Sequence, residues 1–158
     1  MDSEVKIYIN RALNELSLAE VAFSISNSRK LKEILQIDEE KTYYSGVISH
    51  SYYCIFYTAK AILLTKGIKT EAPKIHKKTF DAFKNEFVET GILDVRLLEI
   101  YKEMVVRADA LLEIFKDEKW KRGHFTYHTI SEANREPAEQ SIKRAKMFVT
   151  NIRNVLNV

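Results

Sequence analysis

The stretch Arg122-Gly-His-Phe-Thr-Tyr-His128 brings an arginine, two histidines and two aromatic rings into seven residues. In extended backbone the side chains alternate, so Arg122, His124, Thr126 and His128 would share one face while Phe125 and Tyr127 pack the other way. A cation, two titratable imidazoles and a hydroxyl pointing together suit a phosphate diester. Arginine grips phosphate oxygens in a fixed fork, and histidine moves protons near neutral pH. The same residues also fit a plainer role, a polar connector between two helices held by two buried aromatics.

Other chemistry is less well supplied. Were this segment helical, His124, His128 and Glu132 would line up at i, i+4 and i+8, a spacing that can chelate a divalent ion, but the chain has no His-Glu-x-x-His and no second cluster. There is no glycine-rich phosphate loop. The solitary Cys54 sits among aromatics, which raises a thiol pKa and marks a small buried residue, not a nucleophile. No metal and no cofactor are assigned. His50 reads as a hydrogen-bonded structural histidine, and His76 as a helix-start residue contacting the neighbouring loop. Lys116, Lys119, Lys121 and Arg122 crowd one helix end, with Lys143, Arg144 and Lys146 on the facing helix. These cations can track a phosphate backbone, or can complement a helix dipole and solvate a surface. Trp120, Phe125 and Tyr127 can stack on bases or serve as anchors.

Positioning these residues falls to helices. The chain has 158 residues, enough for one domain with its own core; it is 46% hydrophobic and 30% charged, with only four glycines and two prolines. A net charge of +3 does not by itself announce a nucleic-acid binder. A lone cysteine, no apolar run near the roughly 18 residues that span a bilayer, and a Met1-Asp2-Ser3-Glu4 start unlike a signal peptide lead us to expect a soluble, unprocessed cytoplasmic protein without a membrane partner.

Apolar residues recur at three and four nearly throughout. Ile9, Leu13, Leu16, Ala19 and Phe23 predict a helix from Ser3 to about Ser26. Ser28 to Ile37 is a short helix or a loop. A helix from Asp38 to Lys66 is apolar on most sides and belongs at the centre, with Gly67 as its stop. A shorter helix runs from Lys74 to Thr90 and ends at Gly91. Asp94 caps the next, whose seam is Leu98, Tyr101, Val105, Ala108, Leu112 and Phe115. The last starts between Asn134 and Pro137. These spacings predict an all-α, single-domain, up-and-down bundle of four long helices plus one or two short ones, spanning 1–158.

Ser51 to Gly67, with its core Tyr-Tyr-x-x-Phe-x-x-Ala-Lys-Ala-x-Leu and closing glycine, resembles the signature helix of HEPN domains. His76 stands where that family places a histidine after the glycine, with Ile75 replacing the usual threonine before it. Arg122, Tyr127 and Ala145-Lys-Met-Phe-Val149 look like family positions, whereas Thr126 replaces the usual aspartate, which puts an acidic role there in doubt. The resemblance covers Lys6 to Val155 and leaves 29–37 as an insertion. It implies a metal-independent endoribonuclease of toxin type, recognised by an arginine, a short spacer and a histidine; Arg122 and His128 fit with five residues between. His128 would handle the proton of an RNA 2′-hydroxyl and Arg122 the phosphate charge, with His124, Thr126, Tyr127, Lys119 and Lys121 in support. The resemblance further implies a homodimer and a small partner nucleotidyltransferase. It equally admits a noncatalytic module that binds the nucleotidyltransferase, RNA or a nucleotide.

Overall fold

The structure, a computed structural model, describes residues 2–120 and 135–158, except for the side chains of 112–120. Six helices are described: α1 (Ser3–Asn27), α2 (Arg29–Ile34), α3 (Tyr44–Leu64), α4 (Ile75–Phe83), α5 (Val95–Trp120) and α6 (Arg135–Leu156). Four are long and two short, and no strand occurs among the described residues. No helix among them is long and apolar enough to cross a membrane.

The central place expected for α3 follows from its composition. Thirteen of its side chains are buried, from Tyr44 to Leu63, which leaves little of the helix for water. Its antiparallel neighbour α1 closes on it through Val5, Ile9, Ala12, Leu16 and Ala19. Pairs such as Tyr8 with Tyr57 and Glu15 with His50 fix the direction. On the far side, Phe83, Tyr101 and Phe148 meet with ring centroids 5.4 to 5.8 Å apart, so α4, α5 and α6 share one aromatic centre. All three rings are fully buried. Of the seam expected on α5, Leu98 and Tyr101 are buried and Val105 and Ala108 pack against the core; the side chains of Leu112 and Phe115 lie outside the described residues.

Helix ends follow local chemistry. Asp2 accepts from the Glu4 N–H at the start of α1, and Asp94 accepts from the Arg96 N–H at 2.8 Å, the cap its position predicts. Gly67 and Gly91 take φ of 71° and 76°, the left-handed conformation a side chain resists, and both end their helices as expected.

Two boundaries differ from expectation. The central helix begins at Tyr44, not Asp38. Asp38, Glu39 and Glu40 carry nothing to bury. Instead, the buried Lys32 ammonium donates to the Glu39 carbonyl at 2.7 Å, while Ser26 Oγ accepts the Tyr43 N–H at 2.7 Å. These bonds hold the connection against the end of α1. The helix expected to run evenly from Lys74 to Thr90 instead widens after Phe83 into a π-helical turn, Lys84–Val88, closed by Glu89 N–H to Lys84 carbonyl at 2.9 Å. Both Phe83 and Phe87 are buried across this turn.

Candidate functional site

Arg122, His124, Thr126, Tyr127, His128 and Lys121 lie outside the described residues, as does the side chain of Lys119. The structure does define the helices on either side of them: α5 extends to Trp120 and α6 resumes at Arg135. A polar lattice binds these two antiparallel helices. Arg107 Nη2 donates to Glu103 Oε1 and to Gln140 Oε1, each at 2.7 Å. Its Nη1 donates to Ser141 Oγ at 3.2 Å and to the Pro137 carbonyl at 3.5 Å. Glu103 also accepts from Arg144 Nε at 3.0 Å. The Arg107 side chain is only 18% exposed, so its charge needs this full set of acceptors. The first turn of α6 is thereby fixed against the middle of α5.

The cations expected to face a phosphate backbone from the last helix are all engaged. Lys143 reaches Glu139 at 4.0 Å, Arg144 pairs with Glu103, and Lys146 lies 2.7 Å from Glu20 of α1. Arg144 and Lys146 thereby join α6 to α5 and α1, while the Lys143 pair stays within α6. No group of three or more metal-ligating side chains occurs among the described residues, and the i, i+4, i+8 set of His124, His128 and Glu132 lies outside them.

The remaining singled-out residues have clear surroundings. His50 Nδ1 lies 2.6 Å from Glu15 Oε2, the structural pairing expected of it. Cys54 is buried, and burial pushes its thiol up to about 12, which removes it as a nucleophile at neutral pH. His76 departs from expectation. It does open α4, but it bonds across to α3, with Nδ1 2.8 Å from the Tyr52 hydroxyl and its ring 4.5 Å from that of Phe56. The residue is largely exposed, but partial desolvation of its ring, assisted by the nearby Lys60 ammonium, lowers its pKa below the usual histidine value, which favours the neutral ring at pH 7. Burial raises the Tyr52 phenol, which stays protonated and can donate to Nδ1, leaving the ring proton on Nε2.

This pair borders a feature that spacing alone did not disclose, a cleft of about 900 Å³ between α3, α4 and α5. Ser45, Gly46, Ser49, Tyr52 and Tyr53 come from α3; His76, Lys77 and Phe80 from α4; and Lys102, Val105, Val106, Ala108, Asp109 and Leu111 from α5. The walls are mainly aromatic and aliphatic, with two ammonium groups and one carboxylate. Lys77 shares its charge with Asp81 at 3.1 Å. Lys102 and Asp109 have no ion-pair partner among the described residues. They lie seven apart on α5, two turns along one helix face, which is the one trace of the cleft visible in sequence.

Comparison with known proteins covers almost the whole chain. A family model described as HEPN domain matches residues 5–155. Putative toxin MJ0605 of Methanocaldococcus jannaschii is 28% identical over 152 residues, which is 96% of this chain and 97% of that protein. Putative toxin MJ0142 of the same organism is 40% identical over 81 residues, 48% of this chain and 53% of the relative. No solved structure matches.

Proposed function

The chain belongs to the HEPN family, as a protein of its toxin type, and from that premise we propose that it is a metal-independent endoribonuclease whose reaction is carried by Arg122 and His128. One observation carries the reading: an arginine and a histidine with five residues between them stand between α5 and α6 in sequence, in a chain matched over almost its whole length by a relative named as a putative toxin. In the reaction, His128 takes the proton from an RNA 2′-hydroxyl as its oxygen attacks the adjacent phosphorus. Arg122 neutralises the charge that gathers on the phosphate oxygens. The 5′-oxygen leaves with a proton supplied by a second imidazole, either His124 or a histidine of a second copy in a homodimer. The products are a 2′,3′-cyclic phosphate and a 5′-hydroxyl. Lys119, Lys121, Thr126 and Tyr127 hold the strand around the scissile bond. A small nucleotidyltransferase is the partner that would restrain such an activity.

The test is expression of the wild type beside Arg122→Ala and His128→Ala, with growth and total RNA followed together. Growth arrest with RNA cleavage in the wild type, and neither in the two variants at equal protein level, is the expected outcome. Intact RNA with tight capture of a nucleotidyltransferase would instead make the chain a noncatalytic binding module.

A further inference from the structure

We propose that the cleft between α3, α4 and α5 holds an unpaired nucleobase and its adjoining phosphate, so that the RNA bound by this chain is single-stranded. The proposal rests on reading the chain as one that acts on RNA. A volume of about 900 Å³ is within the usual range for a ligand site. Its rings can receive the π-face of any base: Tyr53 is partly exposed and Phe80 only partly buried, and the two line the cleft from adjacent helices. Stacking of this kind needs a base free of its complement, which a duplex does not offer.

Charge selects for a nucleotide over a purely apolar guest. Lys102 is exposed and has no ion-pair partner among the described residues, so its ammonium is available to a phosphate oxygen. Asp109, two turns further along α5, also has no ion-pair partner there and can accept the ring and exocyclic N–H donors of a base. An acyl chain would leave both charges unanswered, and a phosphate without a base would leave the rings bare. Arg107, which pins α6 to α5, lies between Lys102 and Asp109 in sequence, so the cleft shares α5 with the contacts that hold the start of α6.

A 2′-O-methyl oligoribonucleotide lacks the attacking hydroxyl and cannot be cleaved by the proposed route, so binding can be read on the wild-type protein. A fluorescent strand of this kind, the same strand in a duplex, and a free mononucleotide would be titrated against wild type, Lys102→Glu and Val106→Glu. Both substituted positions are exposed, Val106 at 67%, and an unchanged melting temperature verifies the fold. The expected result is single-strand binding by the wild type, weaker binding of the duplex, and a loss of about tenfold or more in each variant, the scale of one stacked base or one phosphate contact. Equal binding by wild type and both variants, absence of strand binding, or binding of the mononucleotide alone would each overturn the proposal. Failure here is distinguishable from failure of the ribonuclease reading. Cleavage that needs His128 but ignores both cleft variants removes the cleft alone, whereas strand binding that needs the cleft in a protein that never cuts RNA removes the reaction alone.

Discussion

His76 stays largely exposed, yet the partial desolvation of its ring against α3 is enough to shift its chemistry. Its pKa is lowered in the fold, mainly by that desolvation and then by Lys60, so the unfolded chain binds a proton on this histidine at a higher pH than the folded chain does. Stability tied to it is therefore complete above the ordinary histidine pKa of about 6.5 and is lost as pH falls through the lowered folded value. Thermal melts from pH 8 to pH 5 should show a declining melting temperature below pH 6.5, and His76→Phe should flatten part of that decline. An unchanged slope in the variant would assign the acid sensitivity elsewhere. Tyr101 offers a second test at this scale: its hydroxyl is buried with no hydrogen-bond partner among the described residues. Tyr101→Phe should be neutral or stabilising by up to about 1 kcal/mol in urea denaturation; a clear loss would reveal a partner for that hydroxyl. Residue types alone disclosed that Cys54 would be buried and inert and that His50 would be structural. They could not disclose that His76 bonds to Tyr52, because the two lie 24 positions apart and only the packing of α4 on α3 joins them.

At the scale of elements, the three-and-four spacing of apolar residues carried most of the information. It identified the four long helices, the stop at Gly67 and the cap at Asp94, all of which are set by nearby chemistry. The two departures come from distant partners. Tyr43 is held by Ser26 from the end of α1, and the π-helical turn lies where Phe83 and Phe87 both enter a core built by other helices. Two substitutions test this account. A Cβ at Gly67 would meet nothing within 4 Å, so Gly67→Ala should cost only the conformational penalty of a left-handed residue, about 1–2 kcal/mol in chemical denaturation. Arg107→Met should cost more, on the order of 3 kcal/mol, because Glu103 loses a charged donor and Gln140 and Ser141 lose theirs. Hydrogen exchange should then rise first at the start of α6; uniform exchange along the helix would contradict the pinning role.

In the whole molecule, one bundle carries two features of different origin. The Arg122–His128 stretch could be proposed from sequence because its members are close together and because the signature helix Ser51–Gly67 framed them; it lies outside the described residues. The cleft was not, since its walls come from three helices separated by long intervals and only the assembled bundle creates the space. The central claim concerns the first feature, cleavage of RNA through the 2′-hydroxyl without a metal ion. Its most direct measurement is end-group analysis of RNA incubated with purified protein in excess chelator, beside Arg122→Ala and His128→Ala. The account predicts 2′,3′-cyclic phosphate ends and 5′-hydroxyl ends from the wild type, with rates lower by roughly 10² to 10⁴ for His128→Ala. Cleavage that stops in chelator, 3′-hydroxyl products, or undiminished cutting by His128→Ala would contradict it.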